Sequence, residues 1–322
     1  MAGRAELAGP ATLALEIIGT PVEQITRRQM LAALGAIGAA GCAHMHRTPR
    51  QRRVLIGSDL HADLTDTSRK ELTAFASDVR ESVRPDIAFL VGDLVHRGRD
   101  DEFAWFIGMT RSMGCPVRCS LGNHEYDGGP EEAAHERIRR HLGLSDLYYT
   151  VTLGNTVFVV LADESNVKVN GYGGYMSPEQ LAWFERTVAA SSDKNVIVLS
   201  HQEVAETGMP NCADRNYVMN PADEVERILG SYDIDLWFCG HFHHGGNHAG
   251  LHDGGMFAER HGTHFCQVAS VSERYGTGLC QSRAFKLIEG QNFVTVRSRD
   301  HLGRSFDPRL DTHLPLRHRV RL

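Results

Sequence analysis

Five stretches of the chain end an apolar run in residues able to bind a metal. They are Val54-Leu55-Ile56-Gly57-Ser58-Asp59-Leu60-His61, Phe89-Leu90-Val91-Gly92-Asp93, Val117-Arg118-Cys119-Ser120-Leu121-Gly122-Asn123-His124-Glu125, Val196-Ile197-Val198-Leu199-Ser200-His201 and Leu236-Trp237-Phe238-Cys239-Gly240-His241-Phe242-His243. Their side chains, Asp59, His61, Asp93, Asn123, His124, His201, His241 and His243, are oxygen and imidazole donors with no thiolate among them. That set suits Mn, Fe or Zn. A single ion takes about four to six donors, so the candidates outnumber one site. Two ions sharing a carboxylate would use them economically, with Asp93 the central candidate. Paired metals about 3.5–4 Å apart generate hydroxide at neutral pH and hold phosphoryl oxygens during displacement.

The elements that must position these residues follow from periodicity. Each apolar run reads as a buried strand with its donors at the carboxyl end. Asp59 and His61, like His241 and His243, are two apart, which in a continuing strand puts both on one face. Between the first two runs, Leu72, Phe75, Ala76, Val79 and Val83 mark one face of a helix from Thr65 to Val83, stopped before Pro85. Further helices are expected at Asp101–Met113, at Pro130–Leu142, from Ser177, and from Asn220-Pro221 to Gly230. Strand, helix, strand in this order implies parallel pairing. Tyr148–Leu153 and Thr156–Leu161 read as a hairpin around Gly154-Asn155. Gly171–Tyr175 reads as a loop. Short strands dominate after Gly262, at Phe265–Ser270, Ala284–Ile288 and Phe293–Val296, and the last twenty residues show no period.

Each motif alone has a plainer reading, as a turn, a cap or a surface histidine. All five in order, each at a strand end, do not. Together they resemble the five blocks of the calcineurin-like metallophosphoesterases: Asp-x-His, Gly-Asp followed by Arg-Gly (here Arg97-Gly98), Gly-Asn-His-Glu, a histidine after a strand, and Gly-His-x-His. The resemblance implies an α/β fold of two mixed sheets packed face to face with helices outside. It also implies Asp59, His61, Asp93 and His243 on a first metal and Asp93, Asn123, His201 and His241 on a second. The expected reaction is attack by a metal-bridging hydroxide on the phosphorus of an ester, with Asp93 and Asn123 in the catalytic centre and His124 as general acid. Phosphomonoesters and phosphodiesters, cyclic nucleotides included, remain open as substrates, as does a non-catalytic metal-binding module of the same fold. One departure stands out. Where the family often has aspartate before Arg-Gly, this chain has His96, which cannot supply the negative charge that helps keep the acid histidine protonated.

The formal charge of −6 gives nucleic acid no basic field to follow, which argues against a general DNA binder. The 18 histidines point towards metal or proton chemistry. Of those outside the motifs, His244, His248, His252, His261 and His264 are expected around the site or on the surface. Cys115 and Cys119 lie too far apart along a strand to bridge, and Cys239 and Cys266 read as buried thiols. Residues 1–50 read as an export segment and linker, and 51–322 as a single domain. Arg27-Arg28 directly precede a mild apolar run, Leu31 to Ala43, that is shorter than the ~20 residues needed to span a bilayer. This resembles a twin-arginine signal, which exports folded proteins, and Ala39-Ala40-Gly41-Cys42 resembles a lipoprotein processing box. The expectations are therefore an export machinery as partner, a periplasmic or cell-envelope location, and membrane contact only if Cys42 is lipidated. A segment that does not work as a signal would leave the protein in the cytoplasm.

Overall fold

The structure, a computed structural model, describes residues 48–165, 172–209, 211–244, 256–272 and 280–322. The twin-arginine stretch, Cys42, His248 and His252 lie outside these residues.

Two six-stranded mixed sheets carry the fold. In the first, β1 (Gln51–Gly57), β2 (Ile87–Val91) and β3 (Val117–Ser120) run parallel, as the strand–helix–strand order requires. Beyond β1, β12 (Gln281–Ile288), β13 (Phe293–Asp300) and β14 (Ser305–Pro315) continue it antiparallel. In the second, β5 (Thr156–Val160), β7 (Asn195–Leu199), β9 (Leu236–Cys239) and β11 (Thr263–Gln267) are parallel. Its edges are β4 (Tyr149–Leu153) and β10 (Phe257–Arg260), both antiparallel.

Alternation along each strand sorts its side chains between two cores. Val54 and Ile56 of β1 and Phe89 and Val91 of β2 meet Phe158, Ile197 and Phe238 of the other sheet. The Phe89 and Phe158 rings stack at 4.7 Å. Leu55 and Leu90 point the other way, onto Phe75 of α1 (Asp66–Asp78) and Phe103 of α2 (Asp100–Ser112). Val196, Val198 and Trp237 face Phe184 of α4 (Pro178–Ala189) and Ile228 of α5 (Ala222–Ser231). The remaining helix, α3 (Glu131–Leu142), packs through Ala134 and Ile138 on the first sheet's side. The result is helix, sheet, sheet, helix. With strands buried on both faces, their near-continuous hydrophobicity follows.

Local chemistry sets the helix ends. Thr65 and Ser177 cap α1 and α4 by accepting from the Ser68 and Gln180 amides. After α1 one wider turn, Val79–Val83, closes on Arg84 in left-handed conformation before Pro85.

Two sequence expectations are corrected. Gly174-Tyr175, read within a loop, forms β6 and pairs with β8 (Met219–Asn220). The C-terminal region, read as aperiodic, forms the long edge strand β14, and the chain after it is pinned. Asn155 in the hairpin turn receives the Arg321 amide at 2.7 Å and donates to the Arg319 carbonyl at 2.9 Å. The β13–β14 register slips between Val296 and Ser298, which breaks the period-two pattern.

Candidate metal centre

The carboxyl ends of β1, β2, β3, β7 and β9 deliver all eight candidate side chains. None of the strands continues through them. Asp59 (φ 53), His61 (φ 43), Asp93 (φ 47), His241 (φ 68) and His243 (φ 65) are all left-handed. The one-face geometry of a continuing strand does not apply to Asp-x-His and His-x-His: each pair converges because the backbone turns at both members. Such conformations cost non-glycine residues of order 1 kcal/mol each and collect at functional sites.

Backbone bonds fasten these turns to one another. The Asp59 and His61 amides donate to the Gly92 and Asp93 carbonyls at 3.2 and 2.8 Å. The His241 amide donates to Asp59 Oδ2, and the His124 amide to Asp93 Oδ1, both at 3.0 Å. Glu125 is the brace. Its buried carboxylate accepts from the amides of Gly122, Asp93, Leu94 and Val95 at 2.7–3.1 Å, locking the Asp93 turn to the Asn123 turn.

The donors fall into two groups with one member in common. Asp59, His61, Asp93 and His243 form one, and Asp93, His201 and His241 the other. Asn123 lines the same cavity of about 380 Å³ as Asp93, His124 and His241. The chemistry of both groups fits cations. Asn123 Oδ1 and His241 Nε2 are buried without a hydrogen-bond partner. Imidazole nitrogens converge on each other, His61 Nε2 to His243 Nε2 at 3.1 Å and His241 Nδ1 to His201 Nε2 at 3.2 Å. His201 donates from Nδ1 to the Val91 carbonyl at 3.0 Å, which turns Nε2 towards Asp93 Oδ2 at 3.1 Å. Orienting a histidine through its far nitrogen in this way is characteristic of metal ligands. Asp/His donors in two groups joined by a carboxylate suit two divalent ions.

The electrostatics of the site agree. Burial works against charge on Asp59, but His243 and His201 outweigh it and hold its pKa down to about 2. Burial likewise opposes charge on His201, yet Asp93 and Asp59 lift its pKa to about 10. Burial and the His201 charge push His241 down to about 3. A proton on His201 thus stands where a cation belongs.

A sequence profile of the calcineurin-like phosphoesterases matches residues 52–245. The chain belongs to that family. Among curated relatives, a probable glycerophosphodiester phosphodiesterase of Arcobacter nitrofigilis is 23% identical over half of this chain and 57% of its own length. A probable cyclic nucleotide phosphodiesterase of Rhodopseudomonas palustris is 26% identical over 49% of this chain and 58% of its own. The chain thus spans under three-fifths of the length of these two relatives. Among solved structures, a dimetal phosphatase from Danio rerio superposes with a TM-score of 0.60 at 14% identity, covering 82% of this chain and 98% of that one. A purple acid phosphatase from yellow lupin gives 0.54 at 13% identity, covering 80% and 53%. These two share the fold of two mixed sheets with flanking helices.

In this calcineurin-like phosphoesterase the missing aspartate at position 96 is replaced from elsewhere. His124 Nδ1 lies 2.7 Å from the His96 backbone carbonyl and 3.0 Å from Asp127 Oδ2. Burial lowers the His124 pKa, but Asp93, Asp127 and that carbonyl together raise it to about 9. The negative charge expected at position 96 comes from Asp127, one turn further along the short helix Asn123–Tyr126. Sequence reasoning missed Asp127 and the bracing role of Glu125. The spacing His124-x-x-Asp127 is the signal that could have exposed the first. Among the extra histidines, His244 lines the cavity, and His261 pairs with Glu226 at 2.8 Å on the surface.

Proposed function

We propose that the protein is a dimetal phosphoesterase acting on phosphodiesters, a reading carried by Asp93, which belongs to both donor groups. Asp59, His61, Asp93 and His243 would hold one divalent ion and Asp93, Asn123, His201 and His241 the other, with Mn, Fe or Zn suited to these donors. When bound, the ions supply an activated water at neutral pH and charge for the phosphoryl oxygens. The rest falls to the chain. Asn123, whose buried Oδ1 has no hydrogen-bond partner, would give that oxygen to the second ion and keep its N–H for a phosphoryl oxygen. His124, its Nδ1 held by the His96 carbonyl and Asp127, turns Nε2 into the cavity, where it protonates the departing alkoxide.

Two observations favour diesters. The relatives described above are named for phosphodiesterase activity. Among the described residues lining the cavity there is no Lys or Arg to meet the second charge of a monoester, whereas Tyr172, Tyr217 and Phe242 offer an apolar wall for an esterified alcohol or base. The test is turnover of bis(p-nitrophenyl) phosphate against p-nitrophenyl phosphate with added Mn, alongside metal analysis. Faster hydrolysis of the bis-ester is expected. Two bound metals with no turnover of either would favour the non-catalytic module. For His124→Ala we expect retained metal and a loss of turnover smallest with good leaving groups; an equal loss for all leaving groups would remove His124 as the acid.

The paired arginines and the apolar run 31–43 support export by a twin-arginine route to the periplasm or envelope. Fractionation of cells expressing wild type and the Arg27→Lys/Arg28→Lys variant tests this, and unchanged cytoplasmic retention of both would refute it.

A further inference from the structure

Overlapping the first donor group at His61 is a third cluster, which adds His96 to that ligand and to the acid His124. His61, His96 and His124 each offer a ring nitrogen, and these nitrogens lie within 4.8 Å of one another. The His96 and His124 rings are nearly parallel, 5.3 Å apart at 22°, and His61 meets both edge-on, at 5.7 and 4.7 Å. We propose that this triad is a zinc site whose occupation inhibits the enzyme. The inhibitory part rests on His124 being the acid.

Three imidazoles are a borderline-soft set that favours Zn over Mn or Mg, and the carboxylate beside them, Asp93 Oδ2, stands 3.6 Å from His61 Nε2 and 3.9 Å from His124 Nε2. Zinc–nitrogen bonds of about 2.0–2.1 Å in a tetrahedron put ligating nitrogens about 3.3 Å apart. The triad therefore closes on an ion with side-chain shifts of roughly 1 Å or less per ring. His124 is already oriented as a ligand is, through Nδ1 on a carbonyl and a carboxylate, with Nε2 directed inward. His96 is held in place by its amide, which donates to the Ala62 carbonyl at 3.2 Å. Its ring borders a cavity of about 300 Å³ with Asp63, Thr65 and Arg97. Zinc on the triad takes the nitrogen that would protonate the leaving group. It also draws on His61, which belongs to the first metal group.

The test uses the full chain loaded with Mn and titrated with buffered Zn. Wild type, His96→Ala and His96→Asn are compared by rate and by zinc content after equilibrium dialysis, with thermal melting as a check on folding. The expected result is that wild type binds one zinc which both variants lack. The zinc concentration for half-inhibition, relative to each protein's own zinc-free rate, should rise at least tenfold in the variants. Exchange of zinc into the second principal position is common to all three proteins and cancels in the comparison, whereas the first position, which shares His61 with the triad, should lose Mn in wild type alone. Equal zinc content, or equal inhibition, in wild type and a folded variant would overturn the proposal. If no protein turns over any ester with Mn, the functional reading fails, while the dialysis still decides whether the triad binds zinc.

Discussion

Asp127→Asn isolates the charge that stands in for the family's aspartate. The amide is nearly the same size and its oxygen can still accept from His124 Nδ1, so the substitution removes charge while leaving shape. Asp127 Oδ2 lies 3.0 Å from that nitrogen and its side chain is 31% exposed. Two unit charges about 4 Å apart interact by about 1 kcal/mol in water and about 4 kcal/mol at a surface dielectric of 20. Partial exposure places this pair in the lower half of that range, about 1–2 kcal/mol, or roughly one pKa unit. The sign follows from the role proposed for His124. The acid must be protonated to donate, so activity falls as pH rises through its pKa, and a lower pKa moves that fall to lower pH.

The holoenzyme of Asp127→Asn should therefore show its basic limb of kcat against pH displaced downward by about one unit. The acidic limb should stay in place. Above the displaced limb an alkyl ester should lose up to tenfold in rate, while a p-nitrophenyl ester, whose leaving group needs little protonation, should lose much less. Metal content should not change, because Asp127 is in neither donor group. A basic limb that does not move, or equal losses for both leaving groups, would refute the pairing of Asp127 with the acid.

Three other outcomes follow from the same geometry. His201 is held protonated to about pH 10 without metal, so loading the apoprotein near neutral pH must expel that proton. Calorimetry in buffers of different ionisation enthalpy should report at least one proton released, and an enthalpy independent of buffer would contradict this. At Gly92 (φ 76) an added Cβ would run into the His201 ring; left-handed strain and overpacking together put Gly92→Ala at about 2–5 kcal/mol. Its melting temperature should fall and its metal content drop, and an unchanged melt would show that the turn yields freely. Asp78, fully buried, accepts from Arg299 at 2.8 and 2.6 Å and from His301 at 2.8 Å. Asp78→Asn leaves a buried guanidinium unpaired at a cost of about 3–5 kcal/mol. Denaturant melts should show it, and a loss under 1 kcal/mol would mean Arg299 reaches water.

What the sequence made legible here, and what it hid, divides along one physical line. Strands such as Ile87–Val91 and Leu236–Cys239 are apolar at every position because both faces are covered, and that is visible in composition. The donors were legible because residue type and order survive translation into space: one Asp or His at the end of a buried run reads as a cap or a turn, but five such ends in order do not. The turns that aim them were not. Asp and His are enriched among left-handed non-glycine residues, but that preference is too weak to announce that Asp59, His61, Asp93, His241 and His243 are all left-handed, since the region still costs each of them energy. The conformation is imposed by long-range bonds: Glu125 gripping three amides of the Asp93 turn, Asp59 receiving the His241 amide, and Ser270 Oγ donating to the Asp59 carbonyl at 2.9 Å. Asp127 was hidden for the converse reason, being an ordinary surface acid by type and local only in helical register. It follows that the centre is preorganised by its braces before any cation arrives. Removing the Glu125 carboxylate would release four amides at once, and with them the geometry of both ions. A residue that touches neither substrate nor metal therefore carries as much of the site as the ligands do.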